Sequence, residues 1–191
     1  MRLLLLALIS CTFLWSVEKP TTADVAATST VTEAVIHTPR GDIHVNLFPK
    51  TAPISVANFV NLTKAKFFDG LAFHRVEPSF VIQGGDPYSR EGATAEEKRM
   101  VGQGGPGYTI DAEVGPTNPE KHLAGTLAMA DAGLNTAGSQ FYLTMAVTSF
   151  LDGRYTVFGR VQGPKDLEVI RAVKAGDRMT VEIVAPAPDK K

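Results

Sequence analysis

The chain has 191 residues, enough for one ordinary domain plus a short extension. Hydrophobic residues make up 44% and charged residues 20%, which excludes a disordered chain. A net charge of −1 without any Lys/Arg block excludes a nucleic-acid-binding footprint, and seventeen glycines with twelve prolines favour a turn-rich β architecture over a helix bundle.

Met1-Arg2 is a minimal charged start, and Leu3 to Val17 is apolar apart from Ser10, Thr12 and Ser16. About 15 such residues are short for a spanning helix and suit an export signal, with an uncleaved anchor as the alternative over residues 1–17. Residues 18–30 are rich in Thr, Ala, Pro and charge and read as a linker. Within them, Val25-Ala26-Ala27 offers small residues for signal-peptidase cleavage. The single cysteine, Cys11, follows Leu8-Ile9-Ser10, which resembles the lipobox of bacterial lipoproteins. The apolar run continues through Phe13, Leu14 and Trp15, so an incidental cysteine is the alternative to lipidation. Either way, the domain over 31–191 has no disulfide and no thiol nucleophile.

The domain opens with a hairpin, Val31 to His37 and Ile43 to Phe48 about the turn Pro39-Arg40-Gly41-Asp42. Ile43, Val45 and Leu47 alternate with His44, Asn46 and Phe48. The period then changes: Val56, Phe59, Val60 and Thr63 predict a helix, with Thr51 as cap and Pro53 in its first turn. Leu71 to Asp86 reads as two short strands, and residues 87–107 as a long loop with a charged, solvated stretch. Strands are expected over Tyr108 to Val114, Leu123 to Ala130, Gln140 to Met145 and Tyr155 to Val161. A helix over Asp166 to Ala175 and a strand over Met179 to Val184 close the chain. About eight strands and two helices with short turns predict an antiparallel barrel or sandwich with helices over its ends.

Several chemistries lack their usual residues. The four histidines, His37, His44, His74 and His122, form no HxH or HExxH pair, so neither a zinc site nor a cofactor is expected. No GxSxG is present, and Gly102 to Gly107 has no following GK[ST] to make a phosphate cradle.

Three segments together carry a resemblance. "FHRVEPSFVIQGGD" (Phe73 to Asp86), "GTLAMADAGLNTAGSQFYLT" (Gly125 to Thr144) and "FLDGRYTVFGRV" (Phe150 to Val161) are similar to cyclophilin-type peptidyl-prolyl cis–trans isomerases. The resemblance spans about Val31 to Val184. It implies a closed eight-stranded antiparallel β-barrel capped by two α-helices, with the active groove on the outer surface. It also implies catalysis by Arg75, oriented by Gln83, and a proline pocket lined by Phe80, Val81, Tyr142 and Leu151. His74, Ala130, Asp131, Gln140, Phe150 and Tyr155 match further groove positions, with backbone pairing to substrate around Ala130-Asp131. Phe141 should alternate into the core. Without the resemblance, Arg75 reads more readily as a surface strand arginine; for Phe80, Tyr142 and Leu151 a core position is the alternative.

Four positions depart from the family pattern. Phe150 stands where many eukaryotic members carry Trp, which weakens the expectation of cyclosporin binding. Tyr155 replaces a common His, Asp131 a common Asn, and Tyr142 a pocket Phe whose added hydroxyl needs a partner or an exit to water. The expected protein is an exported, monomeric isomerase of the periplasm or cell envelope that acts on proline-containing segments of folding proteins. It would need no cofactor or nucleic acid and touch a membrane only through its N-terminal segment. A noncatalytic proline-segment-binding chaperone is the alternative; a small-molecule carrier barrel fits poorly because eight strands leave little lumen.

Overall fold

The computed structural model describes residues 17–184; Cys11 and the apolar segment before Val17 lie outside the described residues. Eight strands form one antiparallel sheet: β1 (Glu33–Thr38), β2 (Gly41–Leu47), β3 (Arg75–Glu77), β4 (Val81–Gly84), β5 (Thr126–Met129), β6 (Phe141–Thr144), β7 (Val157–Val161) and β8 (Thr180–Ile183). Their order is β3-β4-β6-β5-β7-β2-β1-β8, so the sheet curls and brings its two edges toward each other. The expected closure is incomplete. No ladder joins β3 to β8; instead the irregular segments before them meet at the bridge between Ala72 and Arg178. Met179 N–H donates to Leu71 O and Gly70 N–H to Met179 O, each at 2.9 Å. Phe73 N–H donates to Asp177 O, and Gly176 N–H to Phe73 O, also at 2.9 Å. These four bonds satisfy backbone groups that a true edge would expose.

The hairpin alternation holds: Ile43, Val45 and Leu47 are buried while His44 and Asn46 are exposed. Helix α2 (Pro53–Lys64) covers one end of the curled sheet. Its Phe59 packs edge-on against Phe141 of β6 at 5.7 Å and at a tilt against Phe158 of β7 at 5.4 Å. Helix α4 (Pro164–Ala172) rests on β2. There Asp166 accepts the His44 N–H at 2.8 Å and caps the Gly163 N–H at 2.9 Å.

Three local expectations are corrected. Thr51 does not cap α2; its hydroxyl is buried without a hydrogen-bond partner. The cap comes from Glu113, whose buried carboxylate accepts the N–H groups of Ile54 (2.8 Å) and Ser55 (2.9 Å) and the Ser55 hydroxyl (2.7 Å). This turns Tyr108 to Val114 into irregular chain rather than a strand. Only Ile110 makes a bridge, to Ala137, and the Glu113 N–H goes to the Thr156 hydroxyl. Third, the supposed linker contains helix α1 (Thr22–Thr28), packed on α2. Thr21 and Asp24 form a reciprocal capping box, and Thr28 is buried. Val25-Ala26-Ala27 therefore sits inside a packed helix, and cleavage there would remove most of it.

The long loop also has structure: a 3₁₀ turn at Pro87–Ser89 and helix α3 (Ala95–Arg99), begun by a Thr94/Glu97 capping box and pinned by an Arg90–Glu97 ion pair.

Removing the Glu113 side chain leaves two backbone N–H groups and a hydroxyl unpaired at a buried helix start. Glu113→Ala is expected to lower the unfolding free energy by about 2 kcal/mol. Urea denaturation with an unchanged m-value reads this; a loss below about 0.3 kcal/mol would show that the cap contributes nothing.

Candidate active site

The strand registers place one row of side chains across the outer face. Arg75 of β3 pairs with Gln83 of β4, Gln83 with Tyr142 of β6, Tyr142 with Ala128 of β5, and Ala128 with Val157 of β7. Phe141, one residue from Tyr142, faces inward and belongs to the main core, as alternation requires. The outer row supports a second, smaller apolar cluster of Val81, Ala128, Tyr142, Leu151 and Val157, flanked by Phe48, Phe80, Ala130 and Tyr155.

Over this cluster lies a pocket of about 140 Å³, lined by Arg75, Phe80, Val81, Gln83, Ala130, Asp131, Tyr142, Leu151 and Tyr155. That is below the roughly 300–1,000 Å³ of a drug-sized ligand site and closer to the scale of one side chain. The structure thus brings nine of the twelve expected site residues to one place. Two of the other three lie beside it. Phe150 is 65% exposed, and its ring stacks on Phe80 at 5.7 Å, which extends the apolar rim. Gln140 lines an adjoining cleft of about 390 Å³ that shares Gln83, Ala130 and Asp131 with the pocket. His74 lines neither, and its Nδ1 is buried without a partner.

Polar groups at the pocket edge form a directed chain. The Arg75 Nη1 donates to Gln83 Oε1 at 3.2 Å, and Gln83 Nε2 donates to Gln140 Oε1 at 2.9 Å. Gln140 Nε2 then donates to Asp86 Oδ2 (3.2 Å) and to the carbonyls of Gly102 (3.0 Å) and Gly104 (2.9 Å). A guanidinium only donates and a carboxylate only accepts, so both amides have one permitted orientation. Asp86 also takes the N–H groups of Tyr88 (2.7 Å), Gly102 (2.5 Å) and Gly104 (3.0 Å). The approach is close: a Cβ on Gly104 would lie 2.3 Å from Asp86 Oδ1. Gly85, at φ +84°, leaves no room either, since a Cβ there would meet the Ser139 carbonyl at 2.3 Å.

The guanidinium sits over the Phe80 ring, 5.8 Å from its centroid, and its Nε is 3.6 Å from Glu77. Among the described residues, one Nη1 donor goes to Gln83 and Nε faces Glu77, which leaves the other Nη donors for the pocket. At the opposite wall, Ala130 N–H is already given to Gln140 O at 3.0 Å, so this donor is not free for a substrate chain. Desolvation raises the Asp131 carboxyl above its usual range, with the Gly133 N–H opposing.

Sequence reasoning missed what lies under the pocket. The Tyr142 hydroxyl meets His122 Nε2 at 2.9 Å, and His122 Nδ1 meets Asp152 Oδ1 at 3.0 Å. The replacement of Phe by Tyr was the available signal, because a buried hydroxyl requires a partner. Among the described residues, no three His, Cys, Asp or Glu side chains converge to hold a metal ion.

Three comparisons bear on this geometry. Residues 33–187 match the family model described as cyclophilin type peptidyl-prolyl cis-trans isomerase/CLD. A peptidyl-prolyl cis-trans isomerase of Synechococcus elongatus is 44% identical over 158 residues, which is 82% of this chain and 99% of the relative. Peptidyl-prolyl cis-trans isomerase B of Bacillus subtilis is 44% identical over 137 residues, 72% of this chain and 86% of the relative. The crystal structure of a cyclophilin type isomerase from Cryptosporidium parvum superimposes with a TM-score of 0.68 at 28% identity, over 82% of this chain and 99% of that one.

Burial lowers the pKa of both His74 and His122. The unfolded chain therefore takes up their protons first, near pH 6.5, and stability present above that pH falls as the pH drops through it. His37, raised by Asp42, works in the opposite direction but is partly exposed and screened. Denaturation at pH 7.5 and 5.5 is expected to show lower stability at 5.5; equal or greater stability there contradicts the assignment.

Proposed function

The chain belongs to the cyclophilin-type peptidyl-prolyl cis–trans isomerases and accelerates rotation about X–Pro bonds, and on that premise we propose that Arg75 is its catalytic residue. The observation that carries the assignment is a guanidinium held by Gln83 at the edge of a pocket the size of one side chain.

The planar X–Pro amide resists rotation by about 18–20 kcal/mol because its C–N bond has partial double-bond character. At the twisted state resonance is lost, and the proline nitrogen becomes pyramidal with a lone pair. A donor aimed at that nitrogen stabilises the twisted state more than the planar one. Arg75 suits this role because it stays charged and offers rigidly spaced donors. No bond breaks, and no proton changes owner.

One charge-assisted hydrogen bond contributes about 1.5–3 kcal/mol, or one to two decades in rate. The rest must come from holding the ring and its flanking carbonyl in place, with water excluded. Phe80, Val81, Leu151 and the Tyr142 ring supply the apolar walls. Tyr155, edge-on to Tyr142 at 5.9 Å, closes one side, and Phe150 extends the rim. Gln83 both orients Arg75 and offers its amide to the substrate backbone.

The cellular setting is part of the same proposal. The apolar segment Leu3 to Val17 and the cysteine-free domain support an exported enzyme, acting on proteins that fold in the periplasm or cell envelope. The pocket is complete within one chain, so the proposed action requires no second copy.

Arg75→Ala is expected to lower kcat/KM on an X–Pro peptide by about one to two decades, measured by exchange NMR or a protease-coupled assay. Undiminished turnover in that variant excludes Arg75 as the catalytic group. Asp131 makes a second outcome specific to this chain: Lys before Pro should be processed faster than Glu before Pro, with the preference fading as acid neutralises the carboxyl. Equal rates on the two peptides at neutral pH remove that role.

A further inference from the structure

Tyr142 places a hydroxyl where an apolar floor is needed, and the structure disposes of it outside the pocket. Its ring lines the pocket, yet its oxygen meets the imidazole of His122, a fully buried side chain that does not line it. Asp152 Oδ1 accepts the His122 backbone N–H at 2.8 Å and faces Nδ1 at 3.0 Å. A carboxylate only accepts, so Nδ1 carries the imidazole proton, Nε2 is the acceptor, and the Tyr142 hydroxyl is the donor. The two rings lie nearly parallel, 14° apart, so the imidazole also fixes the plane of the phenol. Asp152 directly follows Leu151, another pocket wall, so one anchor serves both.

We propose that His122 is a positioning residue of the isomerase site: by accepting the Tyr142 hydroxyl proton it presents the ring face, not the hydroxyl, to the substrate proline. The inference rests on the proline-pocket reading above. Two consequences follow from the direction of the bonds. Without an acceptor, the hydroxyl is orphaned in an apolar site, and its nearest route to a partner is the groove and the donors and acceptors of the substrate amide. Protonation of His122 has the same effect, because Nε2 becomes a donor and the phenol proton must point elsewhere. Charged and titratable groups around the imidazole are Asp152 and Lys121 beside it, Arg160 from β7 and Tyr142 from β6; Tyr155 and Asp131 act on the phenol. Burial favours the neutral imidazole, so the acid effect sets in below the ordinary histidine range.

The test is a cycle of kcat/KM values at pH 7.5 for wild type, His122→Leu, Tyr142→Phe and the double variant, with the pH profile of wild type and Tyr142→Phe between 7.5 and 5. His122→Leu should lose about tenfold when Tyr142 is present but less than about twofold in the Tyr142→Phe background. Wild type should show an acid limb that Tyr142→Phe lacks, whatever the latter's rate at pH 7.5. Equal losses in both backgrounds, or the same acid limb in both proteins, overturn the proposal and leave His122 a packing residue. If His122→Leu does not fold, the two pH profiles decide alone. Neither failure touches the catalytic assignment, which a fully active Arg75→Ala would overturn instead.

Discussion

The carboxylate of Asp86 is fully buried, and its acceptor positions govern the catalytic edge of the sheet. Burying such a group is tolerable only when donors surround it, and here they come from the Tyr88, Gly102 and Gly104 backbone and the Gln140 amide. Because Gln140 must turn its nitrogen to Asp86, its oxygen faces Gln83; because Gln83 must then turn its own nitrogen to Gln140, its oxygen faces Arg75. An exposed arginine is thereby given a preferred direction from a group two side chains away. The same carboxylate draws the Gly102 to Gly104 chain against the sheet, so the long loop and the arginine share one support.

The sheet solves two problems with its two faces. Inside, Phe59, Phe68, Phe141 and Phe158 interlock at 5.2 to 5.7 Å and fill the barrel. Such an interior leaves no room for a ligand, so binding must happen outside. The outer face keeps its own apolar cluster under the pocket, and two of its polar side chains are paired away from it: Gln83 to Gln140 at one edge, Tyr142 to His122 beneath. A planar amide entering this site meets a dry floor on one side and a cationic donor on the other, which is the asymmetry that the twisted state requires.

Much of this was legible in the sequence because it depends on short range. Alternation in Ile43, Val45, Leu47 set the hairpin's inner face, and the step from Phe141 to Tyr142 separated core from pocket. Nine pocket residues followed from the resemblance of three segments. What escaped depends on partners distant in sequence. Glu113 caps a helix 58 residues before it, and nothing in either segment announces the other. His122 and Tyr142 meet across 20 residues, and Asp86 collects donors from glycines whose sequence reads only as a flexible loop feeding a strand. Thr51 satisfied the local rule for a cap and lost to Glu113, a tertiary override of a correct propensity. Helix α1 is the contrary case: its capping box was present in Thr21 and Asp24 but was obscured by a linker-like composition. The incomplete closure between β3 and β8 has no sequence marker, since the four bonds at that seam are made by irregular chain.

Polar bonds anchored on Asp86 aim Arg75 at the pocket, and Gln140→Leu severs that chain at a residue outside the pocket lining. Exchange NMR on an X–Pro peptide gives the isomerisation rate and the affinity in one experiment. The expected rate loss is about tenfold with affinity changed by less than about twofold, since the walls that hold the ring remain. An unchanged rate in a folded Gln140→Leu protein would contradict it, and would mean that Arg75 finds its working position without the chain that leads to Asp86.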